Sequence, residues 1–265
     1  MKEIRVFVAI SLAQLAVVLL LFFTGNLPAV LSIGWSLASM GILLGWVAYR
    51  INRSWHSMTP EEKQRFPVLG QMRWVFITVT VFYLIDLIPH VLLVIYYPDE
   101  RTVTTAHWFA HVFLFVFAVL ASRMALSFFH PRLKNLATGI VSALAVVALL
   151  MSAYRPDHLI FVPDSKYALL SSDYAYAMFN MVINVIAFGL SGLFLIIRGT
   201  QARERIARVR SILIGVGFLC SMMVGYVVHF VHNLYVPVIL SFLFTLLALS
   251  MGIGGLYMLE KPEIK

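Results

Sequence analysis

Long apolar stretches alternate with short polar segments along the whole chain. Eight of these stretches are about 20 residues long, which is the length that a helix needs to cross the hydrocarbon core of a bilayer. They cover residues 5–23, 28–49, 73–96, 106–128, 136–153, 173–197, 211–232 and 235–258. A spanning segment has to satisfy its own backbone hydrogen bonds, so we predict that all eight are helices. The pattern predicts an all-α, polytopic membrane protein with eight transmembrane helices.

The composition supports the same class. Apolar residues make up 61% of the chain and charged residues only 12%, whereas soluble domains carry roughly 45–50% and about 25%. We expect residues 1–265 to form a single transmembrane domain, in which residues 1–27 supply an additional N-terminal helix and residues 28–262 a seven-helix core. The first stretch is expected to be a retained helix, because no cleavage site of the signal-peptide type follows it.

Basic residues indicate the orientation of the predicted bundle, because Lys and Arg accumulate in short cytoplasmic loops. With eight helices, 17 of the 20 basic residues fall on the same side as both termini. The three others, Arg101, Arg155 and Lys166, lie in loops that also contain acidic residues. A seven-helix count would break this sorting. We therefore predict cytoplasmic termini and a location in the plasma membrane, most simply a bacterial inner membrane.

The net charge of +8 follows from this sorting. Basic residues at a membrane surface attract anionic lipid headgroups, at about 1 kcal/mol each. The richest basic run, residues 198–210, contains no aromatic residues and is typical of a solvated turn between two helices. We expect the lipid bilayer to be the partner of these charges and expect no nucleic acid. Between the second and third apolar stretches, Thr59-Pro60-Glu61-Glu62 indicates the start of a short helix.

Ionisable side chains concentrate near the predicted outer face. Six of the eight histidines fall there, together with Asp86, the only carboxylate in the interior of an apolar stretch. A charged group inside a bilayer costs several kcal/mol unless it is paired, so such a group indicates a functional site. Three pairs share helix faces at similar depth, and a further histidine, His158, lies in the loop 154–172 that we expect to cover this end. The pairs are Asp86 with His90, His107 with His111, and His229 with His232.

This residue set suggests a metal ion or haem. Imidazole is the commonest protein ligand of transition metals, and a carboxylate can orient a ligating imidazole. For a zinc or copper ion, the candidate ligands are Asp86, His90, His107, His111, His229 and His232. For haem b, two axial histidines from different helices at matching depth are required, and the candidates are His90 or His111 opposite His229.

Two other interpretations remain open for these residues. The set could bind an organic ligand or a proton, or it could form structural hydrogen bonds only, since histidine is at home near a membrane interface. Elsewhere, Asn180 with Asn184 and Ser241 with Thr245 are each four residues apart, and we predict that they hold helices together. We also predict that glycines near positions 215–217 and 252–255 allow close helix approach.

One family resemblance covers residues 28–262. It rests on seven helices entered from outside, a longer outer loop between the fourth and fifth, a basic turn, and a final apolar helix. The turn is Arg203-Glu-Arg-Ile-Ala-Arg-Val-Arg210, leading into Ser211-Ile-Leu-Ile-Gly-Val-Gly217, and the helix ends Leu256-Tyr-Met-Leu-Glu260. This layout resembles the seven-helix sensory input region of bacterial histidine kinases and diguanylate cyclases. An additional first helix precedes it here, and no kinase or cyclase domain follows by Lys265.

The resemblance implies a module that senses a ligand at its outer face and acts through a cytoplasmic signalling partner or other subunits of a membrane complex. We expect a receptor-like or accessory module that binds a metal ion, haem or small ligand. The alternative is a metal- or haem-dependent membrane oxidoreductase or hydrolase. A nucleophile elbow, a His-Glu-x-x-His helix and a phosphate-binding glycine loop are all absent from the sequence, so the question of an enzyme stays open and the sequence favours a non-catalytic role.

Overall fold

A computed structural model describes residues 2–24, 29–95, 100–129, 131–156, 158–161, 168–231 and 235–259 of the chain. Nearly all of these residues are helical, as the apolar stretches predicted. The helices are α1 (Lys2–Phe23), α2 (Ala29–Ser57), α3 (Pro60–Arg65), α4 (Pro67–Ile95), α5 (Glu100–Phe129), α6 (Lys134–Tyr154), α7 (Tyr174–Asn184), α8 (Ser191–Gln201), α9 (Arg205–Phe230) and α10 (Val236–Tyr257). A π-helical segment, Val185–Leu190, joins α7 to α8 without a break.

Within the described residues, seven helical segments are long and apolar enough to cross a membrane. They lie in α1, α4, α5 and α6, in the continuous α7–π–α8 segment, and in α9 and α10. The prediction of a polytopic, all-α membrane protein is thereby supported. Helix α2 is 29 residues long but is not among the seven.

Two short strands interrupt the segment between α6 and α7, which the sequence analysis had interpreted as a loop. Strands β1 (His158–Phe161) and β2 (Ala168–Ser171) pair in an antiparallel hairpin, with His158 opposite Ser171. His158 therefore lies in a strand. Its Nδ1 is 3.4 Å from Oε1 of Glu100, at the start of α5, so the hairpin is connected to the end of the bundle where α5 begins.

The helices pack side by side around an apolar core. Helix α2 lies against α4 and α10, and α9 lies against α8 and α10. Across the α2–α10 contact, Ser36 Oγ donates to Ser241 Oγ at 2.9 Å, which confirms the predicted packing role of Ser241. Large apolar side chains such as Leu20 and Ile42 point outward with about two thirds of their surface exposed. An outer surface of this kind suits lipid and not water.

Close approach of α8 and α9 depends on two glycines, of which the sequence analysis had singled out Gly215. A Cβ atom on Gly215 would lie 2.6 Å from the carbonyl oxygen of Gly192, and a Cβ on Gly192 would lie 2.7 Å from the carbonyl oxygen of Gly215. Backbone atoms cannot move aside as side-chain ends do. The contact therefore requires glycine on both helices.

Replacing Gly215 by alanine is expected to destabilise the bundle, because the added methyl group would push α8 and α9 apart. Overpacking of this kind costs typically 1–3 kcal/mol. Gly139 in α6 is the matched control, because nothing lies within 4 Å of its Cβ position. There Gly139→Ala should stabilise by roughly 0.5–1 kcal/mol through helix propensity. Thermal unfolding of both variants in detergent checks the prediction, and shifts of the same sign would contradict it.

Candidate functional site

Polar side chains from four helices meet at one end of the bundle. Asp86 lies in the C-terminal part of α4, and His107 and His111 lie in the first turns of α5. Tyr176 and Asn180 lie in the first turns of α7, and His229 in the last turn of α9. The contacts described below connect these residues into one group. We call this group the His/Asp cluster: Asp86, His107, His111, Tyr176, Asn180 and His229.

A short ion-pair contact joins α4 to α5. His107 Nδ1 lies 2.8 Å from Asp86 Oδ1 and donates its proton to the carboxylate. Both residues are buried, with 6% and 7% of their surface exposed. A hydrogen bond to a charged acceptor is stronger than one between neutral groups. The contact offsets the free-energy cost of burying the charge of the Asp86 carboxylate. It also fixes which nitrogen of the His107 ring carries the shared proton.

Aromatic contacts continue the cluster from α5 to α7 and α9. The rings of His107 and His111 meet edge to face with centroids 4.3 Å apart. His111 contacts the ring of Tyr176 at 6.2 Å, and Tyr176 contacts the ring of His229 at 6.1 Å, both nearly perpendicular. Tyr176 is only 1% exposed. This tyrosine therefore links the two histidines that the sequence suggested as axial ligands of haem.

His229 is held through both of its ring nitrogens. Asn180 Nδ2 donates to Nε2 at 2.8 Å. Nδ1 lies 3.3 Å from Ser172 Oγ, in the segment that leads from β2 into α7. A neutral ring that accepts at Nε2 carries its proton on Nδ1, so His229 is best described as a neutral imidazole that donates to Ser172.

His111 Nδ1 and Asn180 Oδ1 are buried polar atoms of the cluster, and neither has a hydrogen-bond partner within the described part of the chain. His111 is 4% exposed and Asn180 is fully buried. An unsatisfied buried donor or acceptor costs about 1–3 kcal/mol, and folded proteins contain few of them. These two atoms of the cluster could therefore take a polar partner beyond the residues that the structure describes.

The six metal-ligand candidates separate into three groups. Asp86, His107 and His111 lie together, and His229 joins them through Tyr176. The side chain of His90 and the whole of His232 lie outside the described residues. Among the side chains that are described, no group of three or more His, Cys, Asp or Glu is arranged to hold a metal ion. The proposed ligand set, and the choice between zinc, copper and haem, stay predictions.

The sequence analysis missed three members of the site or its surroundings. Tyr176 had not been singled out, Ser172 had been part of a loop, and Asn180 had been assigned to helix packing. Residues 176, 180 and 184 are spaced by four and therefore share one face of α7, which is the pattern that could have revealed them. Asn184 does fit the packing prediction, because it lies close against α9. A Cβ atom added to Gly225 in α9 would lie 2.5 Å from Nδ2 of Asn184.

A π-helical segment begins directly after this polar face. Residues Val185–Leu190 form a π-helix between Asn184 and Ser191, and Ala187, Phe188 and Gly189 within it are buried. A π-helical turn contains an additional residue, so it rotates the following helix relative to the preceding one. Such turns are rare and are found frequently at functional sites. Here the turn separates the polar face of α7 from the apolar helix α8.

An ion pair anchors the chain on both sides of the hairpin. Arg155 Nη1 donates to Asp173 Oδ2 at 2.9 Å, and Asp173 Oδ1 accepts from the backbone N–H of Ala175 as the N-cap of α7. The Arg155 hydrogen bond lowers the pKa of the Asp173 carboxyl below its ordinary value. Asp173 therefore remains ionised and holds the first turn of α7, which carries Tyr176.

Comparisons with protein-family models, with curated proteins and with solved structures gave no match. The interpretation of the site therefore rests on its own geometry.

We predict that the Asp86–His107 contact couples the two residues energetically. Removing one partner of a buried ion pair costs about 3–5 kcal/mol, because the other is left uncompensated. His107→Ala and Asp86→Ala should each destabilise the protein strongly, and the double variant by clearly less than their sum. A double-mutant cycle of unfolding in mixed micelles measures this. Additive effects would show that the two residues do not depend on each other.

Proposed function

We propose that this protein is a receptor-like or accessory membrane module that binds a ligand in the His/Asp cluster. The ligand is a metal ion, haem or a small polar molecule. On binding, the module would transmit a signal to a cytoplasmic signalling partner or to other subunits of a membrane complex. The likeness to sensory input regions noted in the sequence supports the receptor role, and the site itself supports the binding role.

The observation that carries the proposal is the pair of unsatisfied atoms beside a buried carboxylate. His111 Nδ1 and Asn180 Oδ1 are buried without a partner within the described residues, and Asp86 lies in the same cluster. Oxygen and nitrogen atoms of these types accept hydrogen bonds or coordinate cations. A ligand that is positively charged or rich in N–H and O–H groups would complete them.

The contacts in the cluster favour a hydrogen-bonded ligand over a metal centre that uses all four candidate ligands whose side chains the structure describes. These four are Asp86, His107, His111 and His229. Both nitrogens of His229 already lie within hydrogen-bonding distance of Asn180 and Ser172, so His229 would have to leave these partners to bind a metal. His107 resembles an imidazole oriented by a carboxylate, which is a common arrangement behind a metal ligand. A metal would therefore be held on the α4–α5 side of the cluster.

We further propose that α2 is an eighth membrane-spanning helix and that both termini are cytoplasmic, in a plasma membrane such as a bacterial inner membrane. Helix α2 packs along α4 and α10, which places it beside two of the seven apolar helices. Its last turns carry Arg50 and Arg53, the basic residues expected at a cytoplasmic helix end. With α2 crossing, the His/Asp cluster lies toward the outer face.

Cysteine labelling tests the position of α2. Cys220 is the only cysteine, so Cys220→Ser provides a background without thiols. In that background Thr24→Cys and Ser57→Cys mark the two ends of α2, and both positions are exposed. We expect a membrane-impermeant maleimide to label Thr24→Cys on intact cells and Ser57→Cys only after permeabilisation. Tyr154→Cys is the positive control for outside labelling, and labelling of both α2 positions from one side would show that α2 does not cross.

The ligand proposal is tested on the purified full-length protein. An absorption spectrum detects haem, elemental analysis detects zinc or copper, and mass spectrometry of an extract detects an organic ligand. We expect one bound species that is lost in His111→Phe and in Asn180→Leu, because each variant removes an atom that the ligand would satisfy.

The control is His56→Phe, which changes a histidine at the far end of α2 and should retain the bound species. If the wild-type protein carries no such species, or if the cluster variants retain it as fully as His56→Phe does, the cluster is not a ligand site. Thermal unfolding of each variant distinguishes loss of ligand from loss of fold.

A further inference from the structure

A cavity of about 650 Å³ lies at the end of the bundle opposite the His/Asp cluster. The residues that line it include Met72 of α4 and Ile214 of α9. These residues precede Asp86 and His229 by 14 and 15 positions, so about 20 Å of helix separates the cavity from the cluster. The volume lies within the range of small-molecule sites, roughly 300–1,000 Å³. The proposed function makes no use of this space.

The cavity combines an apolar floor with a basic wall. Met72, Met124 and Ile214 on the floor are buried. Among the residues that the structure describes, the charged ones that line the cavity are Arg65, Arg198, Arg210 and Glu62, which together carry a formal charge of +2. Arginine binds phosphate and carboxylate groups in a bidentate manner. The cavity is therefore suited to a molecule with an anionic head and an apolar tail.

Glu62, the acidic residue in the described part of the lining, has hydrogen-bond partners of its own. Glu62 Oε2 accepts a hydrogen bond from the backbone N–H of Thr59 at 2.9 Å, and Thr59 Oγ1 accepts from the N–H of Glu62. These two bonds form a capping box at the helix start that the sequence predicted, now the start of α3. The Glu62 carboxylate is thus held at the helix start, and the net positive charge of the described lining determines what the cavity attracts.

Neighbouring aromatic residues indicate that the cavity lies at the level of lipid headgroups. The guanidinium of Arg73 lies over the rings of Trp55 and Trp74, at 5.7 and 4.8 Å from their centroids. Lys63 Nζ lies 5.8 Å from the Trp55 ring. Tryptophan and basic residues concentrate at the membrane–water interface. An anionic head at the arginines would therefore sit where lipid phosphates sit.

We propose that this cavity binds an anionic phospholipid, with the phosphate held by Arg65 and Arg210 and an acyl chain on the apolar floor. The basic residues attract an anionic headgroup, and they lie at the level where lipid headgroups lie. The apolar residues of the cavity suit an acyl chain, which a soluble phosphate does not have. This binding is independent of the ligand in the His/Asp cluster.

Native mass spectrometry of the full-length protein in detergent tests the proposal. Phosphatidylglycerol and phosphatidylcholine with the same acyl chains are compared as probes. We expect tighter binding of phosphatidylglycerol. Arg65→Gln with Arg210→Gln should weaken it roughly 25-fold, or about fivefold for each arginine removed near an anionic surface. Arg203→Gln is the matched control, because Arg203 is exposed and does not line the cavity.

Three results would overturn the proposal. The two lipids could bind equally, Arg203→Gln could weaken binding as much as the double variant does, or glycerol phosphate could bind as tightly as the intact lipid, which would identify a soluble anion as the ligand. If the double variant does not fold, Arg65→Gln alone serves, because Arg65 is exposed on the short helix α3, and a loss of about fivefold is expected.

Discussion

A carboxylate placed among apolar helices has to be compensated, and this constraint determines how the helices meet around Asp86. The cost of an unpaired charge there is several kcal/mol, which is a large part of the stability of a typical domain. The 2.8 Å contact with His107 meets this requirement. Because the two residues belong to α4 and α5, the contact also sets how these two helices lie against each other.

The remaining residues of the cluster follow from the same requirement. An imidazole that donates to Asp86 needs a defined ring orientation. The edge-to-face contact of His107 with His111 supplies it, and His111 is in turn in contact with Tyr176. His229 closes the group from α9 and is oriented by Asn180 and Ser172. The cluster is thus ordered by its own side chains, yet His111 Nδ1 and Asn180 Oδ1 have no partner among the residues that the structure describes. A structural network alone would not be expected to leave both of them unpaired.

Much of the fold could be predicted from the sequence, because a bilayer allows few backbone solutions. Each of the eight apolar stretches is helical in the described residues, with ends that differ from the predicted ones by up to eight positions. The two-stranded hairpin was not predicted, since strands of four residues carry little periodicity. Helix α2 is not among the seven spans found within the described residues. The missed hairpin is a difference that arises where the local sequence is short.

The candidate site was predictable only in part. Asp86, His107, His111 and His229 could be recognised because ionisable residues are rare in apolar helices. The spacing of Tyr176, Asn180 and Asn184 places them on one face of α7, but that spacing alone does not separate site residues from packing residues, because their role depends on which helix face meets α9. That choice is made by tertiary contacts, among them the close approach of α8 and α9 at Gly192 and Gly215.

The most direct test of the central claim is an electron cryo-microscopy map of the protein purified from its native membrane. The account predicts non-protein density within hydrogen-bonding or coordination distance, at roughly 2–3 Å, of His111 Nδ1 and Asn180 Oδ1. A map in which both atoms pair with side chains of the protein, with no density between them, would contradict it.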